Sequence, residues 1–202
     1  IGALIQASSG SIVVNNGNLQ AGRDDFYIDQ AVPINKLGKD HILIKGNGRD
    51  GQADENAMEK GIVIATVDGT VVKVNGGDPL VNGTPTPTVL NAGDYFRIEE
   101  ENFIPGANGF HENMLVSTSQ PVYLYQTILG DPTPSNDNTG GLILVPPFNC
   151  YQPRQITIPL VDDIGGLSYD AQLLIFTEAG STLTINGVAQ ANSETVPGGV
   201  GY

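Results

Sequence analysis

Two acidic groups are the residues of this chain whose types come nearest to doing chemistry. The loop NGRDGQADENAMEK carries Asp50, Asp54, Glu55 and Glu59, and GRDDFYIDQ carries Asp24, Asp25 and Asp29. Carboxylates gathered in a polar loop suit calcium, a hard cation that takes about six to eight oxygen ligands. The acids do not fall at alternate positions ahead of a glycine, so the spacing is not that of an EF-hand. The two groups form one cage only if strand pairing brings them together. Asp50, Asp54, Glu55, Asp24 and Asp25 are therefore the calcium candidates, weighed against plain solvated loops. Glu99–Glu101 and Asp162-Asp163 read as solvated runs of like charge.

Other chemistries find less support. His41 and His111 are the only histidines, and neither lies in a hydrolase or metalloprotease motif. The one cysteine, Cys150, excludes an intrachain disulfide and a cysteine zinc site; a lone Cys is more often a small buried apolar residue than a nucleophile. There is no Gly-x-Ser-x-Gly, and no glycine-rich loop followed by Lys-Ser/Thr. Paired carboxylates for glycoside hydrolysis are available in any acidic chain, so they carry no signal. No catalytic residue is assigned, and the chain is not read as an enzyme. A sugar platform would present aromatic faces, yet Trp is absent. Tyr123 and Tyr125 alternate in VYLY and share one face, where core or cross-strand packing explains them. Tyr27, Tyr95 and Phe110 are weaker platform candidates. Asn82-Gly83-Thr84 matches a glycosylation sequon, a pattern common by chance.

The elements that must position these residues are strands. The chain has 202 residues, 40% hydrophobic and 15% charged, with 26 Gly and 13 Pro. The apolar runs between the turns favour Val, Ile, Thr and Tyr, which suit a pleated, half-buried surface. Such short runs, bounded by turn residues, predict an all-β fold. The net charge of −13 repels a polyanion and excludes nucleic acid as partner. No window of 18 apolar residues is present, so direct membrane insertion is not expected. No signal peptide is visible, and both ends look cut from something longer.

Along the chain, IQASSGSIVVNNG, DQAVPI and KDHILIKG are the first strand signals. GIVIATVDGTVVKVNGG predicts a hairpin with a tight turn at Asp68-Gly69, both residues at positive φ. DPLVNGTPTPT reads as a proline-bearing loop. LNAGDYFRI is a strand entered through a turn, and NMLVSTSQPVYLYQTIL one or two strands with Pro121 at an edge or break. DPTPSNDNTGG is a long loop or linker, followed by LILVPPF, RQITIPLV and AQLLIFTEAGSTLTINGVA.

Several of these phrases recur. TEAGSTLTING at Thr177–Gly187 answers TVDGTVVKVNG at Thr66–Gly76, and three further phrases recur in the same order. The spacing is about 110 residues, the size of a β-sandwich module. The expected architecture is tandem β-sandwich modules, Ig-like or jelly-roll-like. Residues 1–20 would end a preceding unit, 21–130 form a complete one, and 131–202 begin a next, incomplete one whose strands fray. The alternative is that both halves pack as one double sandwich with shared strands.

GKDHILIKGNG, MEKGIVIATVDGTVVKVNG, LNAGDYFRI, MLVSTSQPVYLYQ and GGLILVPPFNC, in that order, resemble the IgGFc-binding-protein N-terminal-like domain. The resemblance runs from about Gly10 to Gly187. It implies a module of a large Bacteroidota surface protein, exported by the type IX secretion system and in some cases a gliding or attachment adhesin. It carries no catalytic motif and does not imply antibody binding. The expected function is a non-catalytic structural or adhesive module, extracellular and displayed at the bacterial outer membrane. Its partners would be neighbouring modules, the secretion machinery, and surface glycans or other proteins. A specific glycan- or receptor-binding sandwich is the second reading, and a polysaccharide hydrolase domain the third.

Overall fold

The computed structural model describes residues 5–19, 26–45, 59–105, 112–128, 141–148, 154–158, 163–164, 167–168, 173, 175–191 and 195–196. In chain order the strands are β1 Asn15–Leu19, β2 Phe26–Gln30, β3 Gly38–Ile44, β4 Lys60–Ala65, β5 Thr70–Val74, β6 Leu80–Val81, β7 Thr84–Pro85, β8 Thr88–Leu90, β9 Tyr95–Ile98, β10 Ile104–Pro105, β11 Glu112–Ile128, β12 Gly141–Leu144, β13 Asp163–Ile164, β14 Leu167–Ser168, β15 Thr184–Ile185 and β16 Val188–Ala189. Single 3-10 turns occupy Ile34–Lys36 and Glu100–Asn102. Every pairing is antiparallel, and the fold is all-β and sandwich-like, as the residue pattern predicts.

The long strand β11 organises the sandwich. Its first half, Asn113–Ser117, pairs with β3, while Val116–Thr118 pairs with β5, which in turn pairs with β8. Its second half, Val122–Thr127, pairs with β4, and Tyr125–Ile128 with β12; β4 then pairs with β9. With β10 these strands form one continuous eight-stranded sheet, folded along β11 into two layers: a first sheet β3-β11-β5-β8 and a second sheet β12-β11-β4-β9, with β11 common to both. The register shifts between Ser117 and Val122. Pro121 sits in that interval, where its missing N–H does no harm to a ladder already interrupted. Thr118 Oγ1 donates to Gln120 O at 2.8 Å and lies 3.1 Å from Lys39 O, which pins the bend.

Between the sheets lies the main core. Leu43, Val72, Val74, Leu90, Met114 and Val116 face Val63, Ala65, Ile98, Val122, Leu124 and Val145. A Cβ on Gly61 would stand 3.3 Å from both Leu43 Cδ2 and Met114 Cε, so the facing strand packs closely against β4 where it has no side chain. A smaller cluster of Ile42, Leu115 and Val196, flanked by Phe148 and Phe176, covers the outer side of β3 and β11. The two phenyl rings meet edge to face at 4.8 Å. β12 and Val145 thus build the same sandwich as β3–β11.

One expectation is corrected. GIVIATVDGTVVKVNGG is not a hairpin: β4 and β5 are strands of one continuous sheet, but they pair with different stretches of β11 and not with each other. The segment between them is an arch from one sheet to the other, and only Gly69, not Asp68, has positive φ, at 73°. DPLVNGTPTPT is also more ordered than a loop, since β6 and β7 pair across Asn82-Gly83. The phrase RQITIPLV forms no strand over residues 155–158, where Ile156 and Ile158 are exposed.

Candidate functional site

Most polar side chains of the sandwich are committed to holding it. His41 is 1% exposed; its Nδ1 lies 3.0 Å from Val145 O and its Nε2 3.3 Å from Gly38 O. Both neighbours are acceptors, so the shorter contact takes the single N–H of a neutral ring. Burial lowers the imidazole pKa, against smaller opposing effects of the two carbonyls and Asp40. Gln126 Nε2 donates to Ile44 O at 2.8 Å and to Glu59 Oε2 at 2.7 Å. Lys45 Nζ donates to Glu112 at 2.6 Å and stands 5.3 Å from the centre of the Phe103 ring. These ties cross between strands.

The outer face of the second sheet is different. Alternation along β4 turns Gly61, Val63 and Ala65 inward and Lys60, Ile62 and Ile64 outward. Cross-strand register then builds two rows. Tyr95, Ile64 and Tyr123 lie side by side, as do Arg97, Ile62, Tyr125 and Leu144. Tyr123 and Tyr125 stack at 6.4 Å between centroids, with 13° between their planes. Tyr125 is buried, and the Tyr123 hydroxyl donates to Val32 O at 2.7 Å. Burial pushes the Tyr123 phenol pKa up. At that side the face is covered by the segment after β2.

At the other side it is open. Tyr95 is 53% exposed and the Arg97 side chain 61%. Arg97 Nε donates to Glu99, and Lys60 Nζ donates to the other oxygen of the same carboxylate at 2.5 Å. Burial alone would raise the Glu99 pKa, but the hydrogen bonds from Lys60 and Arg97 outweigh it and hold it below the usual carboxylate value.

The backbone of β9 is open as well. Ala65 N–H donates to Asp94 O at 3.0 Å, and Gly93 N–H to Ala65 O at 2.9 Å. Hydrogen-bonded and non-bonded pairs alternate in an antiparallel ladder, so the bonds to β4 pass through Phe96 and Ile98. Tyr95 and Arg97 turn their N–H and C=O groups away from β4. Among the described residues no strand pairs with that outer side. The edge therefore offers a row of backbone donors and acceptors with an exposed phenol and guanidinium beside them.

The turn before β9 is rigid. Asn91 N–H donates to Asp94 Oδ2 at 3.0 Å, and Ala92 N–H to Asp68 Oδ1 at 2.9 Å, which locks this turn to the β4–β5 arch. Opposite it, Asn102 clasps the β6 strand: its Oδ1 accepts Leu80 N–H at 2.8 Å, and its Nδ2 donates to Leu80 O at 3.0 Å.

Of the residues singled out by sequence, Tyr95 belongs to this edge; Tyr123 lies in its row and Tyr125 in that of Arg97, but both pack internally. Arg97, Ile62 and Ile64 escaped sequence reasoning, although the alternation in YFRI was the signal that could have found them. Asp24, Asp25, Asp50, Asp54, Glu55, His111, Cys150 and Phe110 lie outside the described residues. Glu59, of the same acidic loop, is buried and accepts from Gln126. Among the described residues no group of three or more His, Cys, Asp or Glu could hold a metal ion. No helix among them is long and apolar enough to cross a membrane.

No curated protein and no solved structure matches this chain. A sequence model described as IgGFc binding protein matches residues 1–202, and the chain belongs to that family.

Proposed function

We propose that this member of the IgGFc binding protein family is a non-catalytic adhesive module that engages its partner along the open edge of β9. The family is a binding one by description, and the residue phrases resemble domains of long, secreted Bacteroidota adhesins. On that reading the chain works outside the cell, at the outer-membrane surface, among repeated sandwich units of about 110 residues. Type IX export and a part in attachment or gliding belong to the same reading.

The β9 edge is the observation that carries it. An extended segment of a partner protein adds to such an edge through main-chain hydrogen bonds, while alternate side chains supply specificity. Tyr and Arg are the residues that most often dominate binding energy at protein interfaces, and here they share one exposed face. On this face, among the described residues, a carbohydrate partner would meet one exposed aromatic ring, Tyr95, because Tyr123 is already packed and bonded.

The test is binding of the chain to arrays of immobilised glycans and of immobilised extracellular proteins. Tyr95→Ala and Arg97→Ala should each weaken competable protein binding about tenfold, in keeping with a hot spot of one to two kcal/mol. Protein binding that ignores both substitutions overturns the edge, and binding confined to glycans favours a lectin-like module. Calcium is the one cofactor in the proposal, held by Asp24, Asp25, Asp50, Asp54 and Glu55. Millimolar calcium should raise the melting temperature and a chelator should reverse it; an unchanged midpoint removes calcium from the reading.

A further inference from the structure

Among the described residues three Asn-Gly pairs occupy tight turns: Asn75-Gly76, Asn82-Gly83 and Asn186-Gly187. Their backbones are nearly superimposable in φ, at 51° and 80°, 50° and 74°, and 50° and 80°. Positive φ at both positions is the signature of the two-residue hairpin turn. Asn-Gly is also the dipeptide most open to attack on its own side chain. The Gly nitrogen bonds to Asn Cγ, the Cγ–N bond breaks, and ammonia leaves with the proton. Water then opens the cyclic imide at either carbonyl, giving aspartate or isoaspartate. Water is the only co-reactant, and nothing is oxidised or reduced.

What separates the three is how firmly each turn is held. Ring closure needs rotation about the Asn Cα–C bond until Cγ meets the next nitrogen, and a closed hairpin holds that rotation off. The rate therefore follows the ease of local opening, which is least where contacts are buried and bonded. Asn75 is locked: its Oδ1 accepts Leu115 N–H at 2.9 Å, its Nδ2 donates to Asn102 O at 2.7 Å, and its own N–H donates to Leu115 O at 2.8 Å. The strand before it carries Val72 and Val74 into the core. At Asn82 the would-be nucleophile is occupied, because Gly83 N–H donates to Glu101 Oε2 at 2.6 Å. The Asn102 clasp on Leu80 holds the base of that hairpin.

Asn186 has neither restraint among the described residues. Its hairpin consists of two residues on each side, Thr184–Ile185 and Val188–Ala189. Asn186 and Gly187 are exposed, and Val188 is 64% exposed. We propose that Asn186 is a site of spontaneous conversion to aspartate and isoaspartate, while Asn75 and Asn82, in the same turn, are protected by their bonds. The conversion adds a carboxylate at a hairpin tip, and the isoaspartate form also adds a backbone atom to a turn that tolerates none.

The experiment is incubation of the whole 202-residue chain at mildly alkaline pH, with peptide mapping by mass spectrometry and enzymatic detection of isoaspartate. In the folded chain Asn186 should convert several-fold faster than Asn82, and Asn75 should stay intact. In urea all three should converge on one rate, since the dipeptide is the same. Glu101→Ala, checked as folded by circular dichroism, should raise the Asn82 rate toward that of Asn186 and leave the other two unchanged. Equal rates in the folded chain, unequal rates in urea in the same order, or no response of Asn82 to Glu101→Ala would each overturn the assignment.

Discussion

Substitution of Asn102 should weaken the sandwich more than any other exchange of a polar residue outside its core. Asn102 is 3% exposed, and its side chain stands in for a neighbouring strand. Its side chain takes Leu80 N–H and gives to Leu80 O, as a neighbouring backbone would, and its Nδ2 also reaches Glu99 O at 3.2 Å. Its own carbonyl accepts from Asn75, whose side chain and backbone clamp Leu115 in β11. Asn102→Ala leaves the Leu80 N–H and C=O without these partners. Each such orphaned group costs about 1–3 kcal/mol, and partial access of water to Leu80 keeps the total at about 2–4 kcal/mol. With a urea slope near 2 kcal/mol/M, the midpoint should fall by about 1–2 M at unchanged slope. Asn102→Asp keeps the volume and the acceptor but turns an N–H donor into an oxygen facing two carbonyls. Its carboxyl pKa must rise above the unfolded value of about 3.9. The deficit of that variant should therefore shrink as pH falls through the raised value, because the protonated acid donates again. An alanine variant within about 0.5 kcal/mol of the parent, or an aspartate deficit independent of pH, would refute the reasoning.

The fold makes two further demands. His41 is buried neutral with its pKa lowered by burial, so the unfolded state takes up a proton first on acidification. Stability should be fully present above the ordinary imidazole value of about 6.5 and fall as pH drops below it; His41→Phe should flatten that slope in urea melts at a series of pH values. A Cβ at Gly38 would lie 2.3 Å from Pro147 Cβ. Gly38→Ala must push away the strap after β12, and thermal melting should show a loss of about 1–3 kcal/mol, as overpacking does.

What the sequence disclosed and what it withheld divide along one line. Apolar, strand-forming runs are local, and they were legible: GIVIA marked β4 and KDHILI marked β3. Turn chemistry was legible too, since Asn75-Gly76 and Asn186-Gly187, which close the two copies of the repeated phrase, share one backbone geometry, as do Gly69 and Gly180 at 73° and 82°. Choice of partner is not local. Asp68-Gly69 gave a sound reason to pair β4 with β5, but each strand gains more by joining a different half of β11, and nothing within Lys60–Val74 encodes the bend at Pro121 that separates those halves. The Tyr95 and Arg97 face was hidden for the same reason, because a residue becomes an edge residue only when no strand takes its far side.

That asymmetry bears on why binding should settle on β9. Among the described residues the end strands are β3 and β8 in one sheet and β12 and β9 in the other; Phe148 N–H donates to Asp40 O on β3 at 2.8 Å and β2 lies beside β12, which leaves β8 and β9 as the ends to compare. An unguarded edge pairs with other copies and aggregates. β8 is guarded by being short, at three residues, and by Pro85 and Pro87 in the approach to it. β9 is longer and carries no proline, and its guard is charge: Arg97 on the strand, with Glu99 and Lys60 bound to one another beside it. Proline closes an edge to every partner. A charge closes it only to strands that cannot answer it, since an approaching copy sets guanidinium against guanidinium, whereas an extended segment with a carboxylate at that register gives Arg97 a second acceptor beside Glu99. The same device that keeps β9 from pairing with itself therefore leaves it selective for something else.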